Sequence, residues 1–182
     1  MSFSDTISNA WKISILDEGT TQAVSKDPTG FKNGVLFLIV TGIIMGLGAF
    51  FVSAIAGLGA AGFIQVITYP IMMLIGFFIW GLIIHLFAKL FKGTGSLTQW
   101  YAGASHTYLF YWIAIIPFVG QILVGLAGLW NIVLQIHVAK HVHGFSTGKA
   151  VVVVLLPIVI IGILAVALAG VFVATMFSGL GV

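Results

Sequence analysis

Three histidines and two lysines are concentrated in the stretch His137-Val-Ala-Lys-His-Val-His-Gly-Phe-Ser-Thr-Gly-Lys-Ala150, a short polar bridge between two long apolar runs. His137 and His141 are four residues apart, so a helix places both imidazoles on one side, where they could meet one metal ion. His143 could add a third ligand. The rest of a metal site is missing, since the chain has no His-Glu-x-x-His pattern, no cysteine and no carboxylate after Asp27. Imidazoles at a helix C-terminus are also well placed against the helix dipole, which accounts for them without a metal. The sequence therefore predicts no metal and no cofactor, with His137 and His141 as weak metal candidates.

Gly144-Phe-Ser-Thr-Gly-Lys149 has the outline of a phosphate-binding loop and fails its rules. Three residues separate the glycines instead of four, and Ala150 stands where a hydroxyl should hold magnesium. A nucleotide site is excluded. Lys149 beside a helix start is still placed to meet lipid phosphates.

The remaining polar residues in apolar surroundings are His106, Gln121, Asn131 and Gln135. Asn131 and Gln135 are four apart and share a helix face. At membrane depth such groups bond across helices, or less often line a substrate path. Ion-coupled transport uses buried Asp or Glu, and the apolar runs contain neither. General acid–base or metal-assisted chemistry would have only histidines to work with, which argues against an enzyme and against a driven pump.

The elements that carry these residues follow from composition. Of 182 residues, 60% are hydrophobic and 6% charged, and the mean hydropathy is +1.22. Soluble domains carry about a quarter charged residues, so this chain belongs in a bilayer. Five apolar runs long enough to cross one lie at about 34–56, 63–91, 97–116, 118–141 and 147–177. The fold class is an all-α integral membrane protein of five transmembrane helices, preceded by a short amphipathic interfacial helix. In that leading helix Phe3, Ile7, Ala10, Trp11 and Ser14 fall at helical spacing, with Trp11 as the interfacial anchor. Residues 1–33 form a cytoplasmic N-terminal segment without a signal peptide, and residues 34–182 form the membrane domain.

Local signals set the ends. Asp27-Pro28 reads as an N-cap with proline at the first helical position, and Ser96-x-x-Gln99 as a capping box. Gly144 supplies a C-cap, and Ser146 or Thr147 starts the last helix. Pro70 predicts a kink or break. Gly42-xxx-Gly46 and the row Ala49, Ser53, Gly57 and Ala61 predict close helix packing, within the chain or between two copies.

All four acids precede Lys32, and the later charges are Lys89, Lys92, Lys140 and Lys149. Both lysine-bearing loops fall on one side if the N-terminus is inside, and the uncharged connections and the tail from Ser178 to Val182 fall outside. The positive-inside rule thus predicts N-in, C-out. Four scattered lysines make no nucleic-acid stripe.

Specific blocks carry a family resemblance. His85-Leu-Phe-Ala-Lys89 through Gly93-Thr-Gly-Ser96, then Ile116-Pro-Phe-Val-Gly120, then His143-Gly-Phe-Ser-Thr-Gly-Lys-Ala150 with Pro157 resemble the prokaryotic branch of the Yip-type (Ypt-interacting protein) family over residues 27–175. The resemblance implies five spans and an inward N-terminus. Eukaryotic members sit in endoplasmic reticulum and Golgi membranes and associate with Rab-type GTPases and with one another. This chain's short N-terminal segment argues against a GTPase partner.

The functional expectation is a non-enzymatic multi-pass protein of a prokaryotic plasma membrane (endoplasmic reticulum or Golgi in a eukaryote) that organises membrane or docks a partner. Its working surface would comprise Lys89, Lys92, Lys140, His141, His143, Phe145 and Lys149. The expected partners are membrane lipids, an unidentified cytoplasmic or membrane protein, and a second copy through small-residue faces, with no nucleic acid. The competing expectation is a passive conduit for lipid or small solute along the polar residues of the fourth span, with a histidine-metal protein as the remaining option.

Overall fold

The computed structural model describes residues 2–178, and these form helices and turns with no strand. The order is α1 (Phe3–Ser14), α2 (Glu18–Lys26), α3 (Gly30–Ile55), α4 (Gly59–Leu90), α5 (Leu97–Ser105), a 3-10 helix (His106–Ile115), α6 (Val119–His143) and α7 (Thr147–Ser178). Four helices are long and apolar enough to cross a membrane: Gly30–Ile55, Gly62–Leu90, Val119–His143 and Thr147–Met176. This is a multi-pass membrane protein, and its outward-facing apolar helices make lipid their surroundings. The tail from residue 179 onward lies outside the described residues.

The third expected span departs from expectation. Residues 97–116 do not make one α-helix; nine α-helical residues run into ten in 3-10 geometry. Such a run is long, because 3-10 hydrogen bonds are poorer than α-helical ones. Its surroundings explain it. The carbonyl of Ala114 lies against Gly48 of α3, and that of Ile113 against Gly120 of α6, where any side chain would collide. The tighter helix fits between two glycine-lined neighbours. This segment is also the centre of the bundle: α5 packs on α2, α3, α4 and α6, and the 3-10 helix on α1, α3 and α6.

Close approach governs α3 and α4. A Cβ on Gly46 would lie 2.8 Å from the Val66 Cα, and one on Gly42 2.8 Å from the Pro70 nitrogen. Gln65 of α4 donates to Ser53 at 2.8 Å. Of the small residues expected to serve packing or a second copy, Gly42, Gly46 and Ser53 are thus engaged within the chain, while Gly57 faces open space. α4 runs through Pro70 without a break, and the helix opposite it is thinned by Gly42.

The N-terminal segment corrects one expectation. α1 is capped by Ser2 and Asp5, and buries Thr6, Ala10, Ile13 and Ser14. Of the expected row Ala10 and Ser14 thus face the bundle, while Trp11 is half exposed, with its ring edge-on to Phe110 at 6.3 Å. Trp130 donates to the Ser14 carbonyl at 3.0 Å. α2 had no signal in the sequence, and Asp27 ends it instead of capping α3. The Asp27 carboxylate accepts from the Thr29 backbone and hydroxyl, while Thr29 itself precedes α3 without a side-chain cap. Ile13 and Val24 of these two helices join the same core as Leu38, Ile84, Trp100, Val138 and Val153.

Other local signals appear as expected. Ser96 and Gln99 form a reciprocal capping box, Gly144 ends α6 in the left-handed conformation, and Ser146 accepts from Lys149 N. Beyond Pro157, α7 leaves the bundle, and it is exposed from Val159 to Met176.

Because Gly46 meets backbone and not a flexible side chain, Gly46→Val should cost about 1–3 kcal/mol. The expected result is a lowered unfolding temperature of the purified protein in detergent, and an unchanged midpoint would refute the close α3–α4 contact.

Candidate functional site

The lysines after Lys32 collect at one end of the bundle, where α4, α6 and the starts of α5 and α7 meet. They are not equivalent. Lys89 donates its ammonium to the carbonyls of Gly93 and Gly95, at 3.2 and 2.9 Å, and so ties down the α4–α5 loop. Lys92 is exposed at a left-handed φ of 64°. Lys140 is partly exposed; Lys149 is exposed, with its Nζ 5.6 Å above the Phe145 ring. None of the three pairs with a carboxylate among the described residues.

His137 and His141 share a face of α6, with ring centroids 4.5 Å apart. That face is covered by α2. His141 Nδ1 lies 3.2 Å from Glu18 Oε1, and His137 Nε2 lies 3.1 Å from the Thr21 hydroxyl. The neighbouring Asp17 caps α2, and the hydrogen bonds it accepts from Thr20 hold its carboxyl below the ordinary aspartate value. Among the described residues no three His, Cys, Asp or Glu side chains are arranged to hold a metal ion.

Two residues expected on the docking surface are inside instead. His143 is 1% exposed and Phe145 7%. They turn inward because α6 ends at His143 and the left-handed Gly144 reverses the chain, with Phe145 N bonding back to the Lys140 carbonyl. His143 faces His85 and Trp100, not the His137–His141 pair.

Deeper in the bundle the polar residues of the fourth span are bonded to one another. Trp80 Nε1 donates to Gln135 Oε1 at 2.7 Å, Gln135 Nε2 donates to Asn131 Oδ1 at 2.6 Å, and Asn131 Nδ2 reaches the Thr107 hydroxyl at 2.7 Å. Thr107 in turn donates to the Ala104 carbonyl at 2.8 Å. One chain of bonds thus links α4, α6 and the 3-10 helix. His106 stacks on Phe37 and bonds the Ala102 carbonyl through Nδ1 at 2.7 Å, away from the other histidines. Gln121 is exposed and donates to the Ala114 carbonyl. Sequence reasoning missed Trp80 as the donor that completes the network, and Trp112, which donates to the buried Thr41 hydroxyl at 2.8 Å. Helical spacing gives no sign of either partnership, because each crosses between elements far apart in the chain.

The family model for the Yip1 domain matches residues 18–169. The chain belongs to the Yip1-domain family. The match opens at Glu18, the first residue of α2, and so takes in the helix that covers His137 and His141. No curated protein and no solved structure matches the chain.

In this Yip1-domain protein the buried network makes a direct prediction. Asn131→Leu takes from Gln135 the acceptor of its Nε2 and from Thr107 the donor to its hydroxyl, and should cost about 1–3 kcal/mol. The Asn131→Leu/Gln135→Leu double variant should cost clearly less than the sum of the single changes, because each single change strands groups that the double removes. Unfolding midpoints of the four proteins of the cycle measure this, and simple additivity would refute the network.

Proposed function

We propose that the protein is a non-enzymatic membrane component that docks a partner, or organises the surrounding membrane, through the face carrying Lys92, Lys140 and Lys149. The observation that carries this reading is the contrast between the two sets of polar groups. The interior amides Asn131 and Gln135 of the fourth span are bound to each other, to Thr107 and to Trp80, whereas these three ammonium groups have no described carboxylate partner. The interior offers no carboxylate and no thiol to act as base or nucleophile.

The reading includes five crossings. Nine α-helical and ten 3-10 residues extend roughly 34 Å, comparable to a hydrocarbon core of about 30 Å. With α5 and the 3-10 helix as the third crossing, both lysine-bearing loops fall on one side, and the positive-inside rule makes that side the cytoplasm. This gives N-in, C-out, in a prokaryotic plasma membrane if the chain is of the prokaryotic branch.

A lateral cavity of about 310 Å³ supports a second reading, a passive conduit for lipid. It lies between α3, α4 and the 3-10 helix and is lined by Met45, Met72, Met73, Tyr108 and Tyr111 among others. This route differs from the fourth-span polar path, whose groups are already engaged.

Photo-crosslinking from Thr94 in native membranes tests the first reading. One discrete protein adduct is expected, and it should disappear when Lys92, Lys140 and Lys149 are all changed to glutamate. An adduct pattern indifferent to charge reversal would refute docking by this face. For the second reading, Met72→Trp should fill the cavity and slow lipid movement in reconstituted vesicles. Equal rates for the two proteins would remove the conduit.

A further inference from the structure

α2 rests on two imidazoles that neither the docking face nor the interior network uses. His137 and His141 stand 4.5 Å apart, ring centroid to ring centroid. The buried hydroxyl of Thr21 gives its one proton to the Asp17 carbonyl at 2.8 Å. Toward His137 Nε2, 3.1 Å away, it therefore accepts, and that nitrogen carries the ring's proton. The Glu18 carboxylate can only accept, so His141 Nδ1 carries the proton across their 3.2 Å contact. Two neutral imidazoles thus satisfy both contacts with α2, and no further proton is called for.

The charges around the pair are already balanced. Asp17 and Glu18 face the rings from α2 and its cap, Lys140 faces them from α6 itself, and Lys12 of α1 faces Asp17. Among the described residues α5, the 3-10 helix and α7, which also pack on α6, bring no charged or titratable group to bear on either ring. Two acids therefore meet two lysines. A proton on each ring would add two positive charges side by side, with no acid left over to offset them.

Glu18 compensates the first of these charges only in part. Its side chain is 62% exposed and screened by water, whereas that of His141 is 7% exposed and would give up its hydration. His137 has only the Thr21 hydroxyl to meet a charge. The helix ends oppose one another, since the C-terminus of α6 favours a proton here and the N-terminus of α2 disfavours it.

We propose that His137 and His141 form an acid-sensitive latch, in which neutral rings hold α2 on the bundle and protonation of the pair releases it. Opening hydrates and separates the two charges, so the open state binds more protons than the closed one. The latch consequently holds at neutral pH and gives way as pH falls. It concerns α2 alone and stands apart from the docking role. Release carries Asp17 and Glu18 away and leaves a more cationic end.

Hydrogen exchange of the full chain in detergent, corrected for the chemical exchange rate at each pH, reads the latch in the amides of α2. Between pH values of about 7.5 and 5.5 their protection should fall about tenfold or more, since each proton bound on opening contributes up to tenfold per pH unit. Amides of α3 and α4 should keep their protection, which separates release of α2 from unfolding of the bundle. The His137→Phe/His141→Phe variant keeps both rings and cannot take a proton, so its α2 protection should be the same at both pH values. Glu18→Gln still accepts from His141 but removes the partial compensation, and should move the loss to higher pH. Constant α2 protection in the unmodified chain, or an equal loss in the double variant, overturns the proposal. A loss shared by α3 and α4, or one that Glu18→Gln leaves unmoved, overturns it as well.

Discussion

A polar group carried into hydrocarbon must find its partner within the protein, and the segment from Leu97 to Ile115 is where this demand is greatest. It brings Trp100, Tyr101, Ser105, His106, Thr107 and Trp112 into the bundle within thirteen residues. Each needs a different neighbour, and the arrangement of the other helices reflects that. Tyr101 donates to the Phe78 carbonyl of α4, Trp112 to Thr41 of α3, and Thr107 accepts from Asn131 of α6. The segment sits at the centre because a peripheral position would reach one helix only. Long apolar α3, α4 and α6 are then the walls that keep lipid away from it.

Central placement imposes a second condition, which falls on α3. This helix touches α4 on one side and the third segment on another, and glycine lines both contacts. Gly42 and Gly46 face α4, while Gly34 faces Ser105 and Gly48 faces the Ala114 carbonyl. Association in lipid rests on close van der Waals contact, so a helix packed on two sides must be thin on two sides. The 3-10 geometry of His106–Ile115 answers the same crowding from the opposite partner.

Much of this was legible in the sequence wherever the determinant was local. The capping box of Ser96 and Gln99, the Gly144 cap and the run of apolar residues in each long helix depend on neighbours within a turn. Asn131 and Gln135 were readable as interior hydrogen-bonding groups on one face for the same reason, though not as partners of each other. Non-local choices were hidden. α2 buries Thr21, Val24 and Ser25, a face too polar to show a hydrophobic period; Ser25 lies against Gly103 of α5 and Thr21 meets His137 of α6. α1 has apolar residues on more than one side, and only the docking partner decides which side turns in. His143 looked like its exposed neighbours until the chain reversal at Gly144 placed it under the α4–α5 loop. A ten-residue 3-10 helix leaves no mark in composition, since its cause lies in glycines of two other helices.

The N-terminal helices decide what the lysine-bearing end presents. All the carboxylates of the chain lie before residue 28, so any negative charge at that end must be brought there by α2 and its flanks. α2 brings Glu18, and spends it on His141; it brings Thr21, and spends it on His137. The histidines that seemed the most reactive feature of the sequence are thereby covered, and the lysines are left without acidic partners. A partner meeting this end therefore encounters positive charge from three separate elements, Lys92 of the α4–α5 loop, Lys140 of α6 and Lys149 of α7. Those elements are held in register by the loop that Lys89 ties down and by the buried stack of Trp100, His143 and Phe145. The charge exposed at the surface and the packing beneath it are consequently one problem here, since a shift of His143 would move the loop that carries Lys92 along with the helix start that carries Lys149.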